Sequence, residues 1–263
     1  MNNINKYKIM VKLGIIGGSG LEKLNLFTDY KILEVTTDFG VPSSPVITGK
    51  IGDIEVAIIS RHGIHHSIPP TQVNNRANIM ALKNLGCTHI LATTACGSLK
   101  EEIKPGDMVV PDQFIDFTRH RSITFFEAFE PDQMAHTPMA DPFDPELSQL
   151  IIATASELKF NIHHHGTIVT IEGPRFSTRA ESKMFINWGA DLINMSTAPE
   201  VILANEAKIP YAAVALSTDY DCWKTDTEAV SWEGVMKVFN KNVNNVTRLL
   251  VEIIQRLSYW DVC

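Results

Sequence analysis

The chain has 263 residues, of which 44% are hydrophobic and 20% charged, and its net charge is -7. That balance suits one large α/β domain or two small ones with ample core. No basic run offers the positive face that a nucleic-acid partner requires, and no stretch is long and apolar enough to span a bilayer. The four cysteines, Cys87, Cys96, Cys222 and Cys263, show no C-x-x-C spacing. They read as reduced thiols, not as a disulfide frame or a zinc site. Met1 to Lys12 lacks the apolar core of a signal peptide. With no repeat and no low-complexity linker, the expectation is one cytoplasmic domain over residues 1–263.

Val11–Ile16 reads as a strand running into Gly17-Gly18-Ser19-Gly20. Two glycines fit the dinucleotide-binding fingerprint, but Lys23 stands at the third position, and no G-K-[ST] follows. The better reading is a glycine-rich turn whose backbone N–H groups and Ser19 hydroxyl face an anion. Glu55–Ser60 is a second strand, ending at Arg61-His62-Gly63. Arg suits bidentate contact with phosphate. Val73–Leu85 reads as a helix stopped by Gly86, and Thr88–Thr94 as a buried strand opening into Ala95-Cys96-Gly97-Ser98. Asp107–Phe117 is a further extended segment.

Asp144 caps a helix with Pro145 at its first position. Three consecutive histidines, His163 to His165, alternate in direction on an extended chain and cannot share one ion. They read as a polar strand edge, and no metal is expected. His65, His66 and His136 are better placed as pocket walls. Thr167–Ile171 is a strand followed by a turn with Phe176, and Thr178 with Glu181 forms a capping box. Glu172 stands at that strand's end, ready to meet a ribose or to order the site. Leu192–Met195 is a short strand, Val201–Ala207 a helix, and a long amphipathic helix begins near Ser231 and ends near Leu257.

Between the last two, Tyr211 to Thr218 is an apolar run closed by Asp219 and Asp221. On an extended chain, residues i and i+2 share a side. Two carboxylates in one partly dry site cannot both ionise freely, so at least one should hold its proton more tightly. Strands alternating with helices imply a central, partly parallel sheet with helices on both faces. In such folds the loops at the carboxyl ends of the strands build the site. That rule gathers Ser19, Arg61, His62, Thr94, Ser196, Asp219 and Asp221 at one edge. The cation and the small donors among them describe a pocket for inorganic phosphate.

The segments Gly14–Leu21, Arg61-His62-Gly63, Asn74–Asn78, Thr93–Leu99, Thr170–Ser177, Asn194-Met195-Ser196 and Thr218–Lys224 together resemble the methylthioadenosine-cleaving branch of the purine nucleoside phosphorylase family. The resemblance covers about residues 12–255. It implies an α/β fold around a central mixed, distorted β-sheet flanked by helices, in a homotrimer or a homohexamer. It implies phosphorolysis of S-methyl-5'-thioadenosine to adenine and 5-methylthioribose 1-phosphate, in purine and methionine salvage. No cofactor is implied; inorganic phosphate is a co-substrate.

By position, the resemblance implies that phosphate meets Ser19, Arg61, His62, Thr94, Ala95 and Ser196. Met195 lies against the ribose and Phe176 flanks the base. Asp219 gives a proton to purine N7, and Asp221 accepts from the 6-amino group. Ser177 and Trp232 stand where substrate preference is set, and His136 reaches a neighbouring subunit's site. Trp232 is larger than the small aliphatic residue expected there. The nearest rival activity is phosphorolysis of 6-oxopurine nucleosides or methylthioinosine. Two others are hydrolysis of the same bond and a non-enzymatic nucleotide-binding role.

Overall fold

The apolar runs become the middle of a sheet. The computed structural model describes residues 11–17, 27, 29–132, 134–227 and 230–259. Its strands are β1 Lys12–Gly17, β2 Lys31–Leu33, β3 Val46–Ile51, β4 Ile54–Ser60, β5 His89–Ser98, β6 Met108–Val109, β7 Gln113–Phe117, β8 Ile162–His163, β9 Thr167–Ile171, β10 Leu192–Asn194 and β11 Tyr211–Asp219. The parallel order β4–β1–β5–β11 forms the centre. These strands are buried on both faces, which is why they read as near-continuous apolar runs and not as alternation.

Antiparallel pairs make the sheet mixed. β2 and β3 extend it beyond β4; neither was expected. The signal was present: Gly52 and Asp53 separate the apolar runs of β3 and β4, and Gly52 takes φ +60 in the tight turn. The distortion lies in β5. β11 runs along it from Ile90 to Gly97, while its other edge pairs first with β1, over His89–Ala92, and then antiparallel with β10, Gly97 opposite Ile193 and Ser98 opposite Leu192. The strand therefore continues to Ser98 and does not open into a loop after Thr94. The expected single segment over 107–117 is two strands at different places in the sheet. β6 pairs with β11 and β8, and β7 pairs with β9. Pro111, which has no backbone N–H, stands at the break.

Local chemistry sets the helix starts. They are α1 Asn75–Asn84, α2 Pro145–Glu157, α3 Arg179–Asn187, α4 Thr197–Glu206 and α5 Trp232–Leu257. Asn74, Asp144 and Ser231 each accept a backbone N–H at a helix start, and both halves of the Thr178/Glu181 capping box are made. Helix α4 starts four residues before the expected Val201, because Pro199 is tolerated within a first turn. Helices α1 and α4 pack on one face of the sheet, α2 and α5 on the other. The buried stripe of α5, including Leu249, Leu250 and Ile253, anchors the helix whose first turns reach the site. Truncating Leu250 to Ala should cost about 2–5 kcal/mol. Among the described residues, no helix is long and apolar enough to cross a membrane.

Candidate active site

The ends of β4 and β11 and the second half of β5 open onto one cavity of about 430 Å³. It has three parts. Arg61, His62, Thr94 and Ser196 line a polar end; Asp219, Asp221 and Phe176 line a second; Trp232, Val235, Met236 and Phe239 of α5 close an apolar third. Ala95 and Met195 line it as well. Ser19 lies outside the described residues.

The polar end is tightly hydrogen-bonded. Thr94 Oγ1 and Ser196 Oγ are 3.0 Å apart. Asn194 Nδ2 donates toward Thr94 Oγ1 at 3.1 Å and lies 3.3 Å from Ser196 Oγ, while its Oδ1 accepts from the Thr170 hydroxyl at 2.8 Å. The shortest bond of Nδ2 goes to Thr197 Oγ1 at 2.6 Å, so its two N–H groups serve Thr197 and Thr94, and the Thr94 hydroxyl in turn meets Ser196, a role for Asn194 that the sequence reading did not assign. Arg61, only 3% exposed, is paired through Nε and Nη2 with the buried Glu200. Its Nη1 donates to the Thr93 carbonyl at 2.8 Å. Glu200 was also missed.

His62 Nδ1 lies 2.9 Å from the Ile68 carbonyl. Burial and the Arg61 charge push its pKa down to about 4. The ring is therefore neutral near pH 7, with Nδ1–H donating to Ile68 and Nε2 left as an acceptor. His66 stacks between His62 and Trp232, with ring centroids 4.6 Å and 5.2 Å away.

At the second end, Asp219 Oδ1 accepts from the Asp221 backbone N–H at 2.8 Å. That bond requires a turn. Asp221 sits at φ +48, so the pair converges by a bend in the chain and not, as expected, by i, i+2 alternation on an extended strand. Asp219 does hold its proton more tightly than an ordinary carboxyl. Burial is the first cause, offset by hydrogen bonds from Thr218 and the Asp221 backbone; repulsion from Asp221 adds least. The expected cause, charge against charge, is thus the minor one. The Thr218 hydroxyl lies 2.7 Å from Asp219 Oδ2 and 3.1 Å from the Cys96 carbonyl. The Thr218 hydroxyl donates to Asp219 Oδ2, the nearer of the two acceptors, which favours the ionised carboxylate and opposes the effect of burial.

Glycines permit this closeness. A Cβ on Gly97 would stand 3.0 Å from Asp219 Oδ1 and 3.3 Å from Asp221 Cβ, and one on Gly173 would stand 2.4 Å from Met195 Sδ.

Other candidates fall elsewhere. Glu172 does not face the cavity; its carboxylate accepts from the Arg119 and His120 backbones and from Arg121 Nε, ordering the neighbouring loop. Of the three proposed wall histidines, His66 lines the cavity, while His65 and His136 do not. His136 packs on Phe129 at 5.9 Å. Ser177 is also absent from the lining; its carbonyl accepts from Cys222 Sγ at 3.3 Å. His163 of the histidine run pairs with Asp107 at 3.0 Å.

Known proteins resemble this chain over most of its length. The S-methyl-5'-thioadenosine phosphorylase of Xenopus tropicalis is 51% identical over 254 residues, covering 95% of this chain and 90% of that protein. The Danio rerio protein of the same name is 49% identical over 95% of this chain and 90% of its own. Among solved structures, methylthioadenosine phosphorylase from Schistosoma mansoni in complex with adenine superposes with a TM-score of 0.90 at 44% identity, covering 95% of this chain and 93% of that one. The model of the phosphorylase superfamily matches residues 12–255. With a match over nearly its whole length and a mixed sheet flanked by helices, this chain belongs to the phosphorylase superfamily.

Proposed function

We propose that this chain cleaves S-methyl-5'-thioadenosine with inorganic phosphate, giving adenine and 5-methylthioribose 1-phosphate. The observation that carries the reading is the presence in one cavity of a polar end, Arg61, His62, Thr94 and Ser196, and of a buried carboxyl, Asp219, whose pKa is raised by that burial. Relatives named for this activity support it, as does a variant of the Schistosoma mansoni enzyme described in complex with methylthioadenosine.

In this reading the C1'–N9 bond breaks and its electron pair passes to the purine. Asp219 gives its proton to N7, which stabilises the leaving base. A phosphate oxygen forms the new bond to C1', and phosphate sheds one proton as it becomes the ester, restoring Asp219 in net balance. Phosphate at the polar end, with Ser19 and Ala95 completing its donors, is both nucleophile and counter-charge for the cationic sugar. Asp221 accepts from the 6-amino group, Phe176 flanks the base and Met195 the ribose. The apolar end on α5, with Trp232, takes the methylthio group, and Ser177 acts on preference from behind the cavity wall.

The chemistry calls for no metal or organic cofactor. The same reading makes the protein a homotrimer of a purine and methionine salvage route in the cytoplasm, with His136 serving a neighbouring subunit's site. Burial, which pushes the Cys87 thiol up to about 12 and Cys96 well above its usual value, suits structural thiols kept reduced.

Product analysis tests the assignment. With S-methyl-5'-thioadenosine, adenine and the sugar phosphate should appear in equal amounts and only when phosphate is present. Adenine release at full rate without phosphate would make the protein a hydrolase, and a strong preference for inosine would make it a 6-oxopurine phosphorylase.

A further inference from the structure

Arg61 enters the cavity wall already paired. Glu200, on α4, is 0% exposed, and Tyr211, the first residue of β11, is 1% exposed. The Glu200 carboxylate takes Arg61 Nε on one oxygen and Nη2 on the other, the second at 3.1 Å. The Tyr211 hydroxyl donates to that second oxygen at 2.9 Å. Arg61 also donates through Nη1 to the Thr93 carbonyl and through Nη2 to the Ile16 carbonyl. A guanidinium has five N–H groups in a fixed plane, and these contacts occupy four of them. A planar fork held on two sides cannot swing to follow an anion.

The same network joins three parts of the site. Glu200 belongs to the helix that Ser196 starts, Tyr211 to the strand that ends at Asp219, and Arg61 follows β4. We propose that Glu200, supported by Tyr211, is the positioning residue of the phosphate end: it fixes the plane of Arg61, so that the remaining N–H of the guanidinium is aimed at phosphate. The proposal rests on the reading that phosphate meets Arg61.

A purely structural ion pair would lower stability without choosing between substrates. The test is therefore a split of KM values in Glu200→Gln and Tyr211→Phe, beside Val201→Ala, a core truncation on the same helix. Glu200→Gln puts an amide N–H₂ against the guanidinium and should raise the phosphate KM roughly tenfold or more, with the nucleoside KM within about twofold of wild type. Tyr211→Phe keeps the ring and removes one donor, and should shift the phosphate KM the same way by roughly threefold. Val201→Ala should lower Tm and leave both KM values alone.

An unchanged phosphate KM in both site variants, or phosphate and nucleoside KM rising together, overturns the proposal. If Glu200→Gln fails to fold, Tyr211→Phe decides by the same split. The wild-type protein separates the two readings. Phosphate-independent turnover removes phosphorolysis itself, whereas phosphate-dependent turnover with unmoved KM values removes only the role of Glu200.

Discussion

The two ends of the cavity are built on opposite plans. At the phosphate end, polar groups satisfy one another before any substrate arrives: Asn194 holds Thr94 and Thr197, Thr94 meets Ser196, and Glu200 holds Arg61. At the base end, the hydrogen-bond partners of Asp219 among the described residues are Thr218 and the Asp221 backbone, and burial leaves its carboxyl reluctant to ionise. The first plan yields a rigid set of donors that need no rearrangement. The second leaves a carboxyl that holds its proton more tightly than an ordinary aspartate. Rigidity and a movable proton are separate requirements, and the chain meets them with different chemistry at the two ends of β11, Tyr211 and Asp219.

The contrast can be broken at either end. Asp219→Asn keeps the shape and removes the transferable proton; kcat should fall by roughly 10²–10⁴-fold while affinity for the nucleoside is largely kept, as read by steady-state kinetics and equilibrium binding. Full activity would remove Asp219 as the donor. Arg61→Ala strikes the other end and leaves Glu200 buried and uncompensated. It should cost about 3–5 kcal/mol in denaturant unfolding and raise the phosphate requirement, with a smaller effect on nucleoside affinity. Gly97→Ala presses a methyl between Asp219, Asp221 and Ile193. It should cost about 1–3 kcal/mol and lower kcat, with the phosphate KM spared.

Acid titration gives a weaker handle. The folded pKa of His62, about 4 against a usual 6.5, means that the unfolded chain takes up the proton first. Its contribution to stability is complete above pH 6.5 and is lost as pH falls toward 4. His62→Gln should flatten that part of the stability profile. The smallest effect is expected from Trp232→Val at the apolar end. It should change discrimination among 5' substituents by roughly tenfold or less, read from kcat/KM ratios, and leave phosphate dependence alone.

Much of this arrangement was legible in the sequence, for local reasons. Asp144, Thr178 and Ser231 announce their helices through capping chemistry that acts over three residues, and the apolar runs announce the central strands. The strand-end rule then brought Arg61, His62, Thr94, Ser196, Asp219 and Asp221 to one cavity. What was missed depends on partners far apart in the chain. Glu200 looks like an ordinary acid in a helix's first turn, and its burial is decided by Arg61, 139 positions away. A signal did exist: Ala198, Pro199, Val201, Ile202, Leu203 and Ala204 make the helix apolar around most of its circumference, and a charge in such a helix needs a partner. Asn194 and Gly97 gain their roles from the antiparallel pairing of β10 with the end of β5, which no periodicity encodes. The geometry of Asp219 and Asp221 was misread for the same reason, since the turn at Asp221 is set by the hydrogen bond that it closes.

Carboxylic-acid infrared absorption of the wild-type protein minus Asp219→Asn, followed against pH, tests the base end most directly. A band assignable to Asp219 should titrate above the ordinary aspartate value of 3.8, with Asp221→Asn moving it only slightly because burial is the main cause. A band that titrates at or below that value in the folded protein would contradict that expectation.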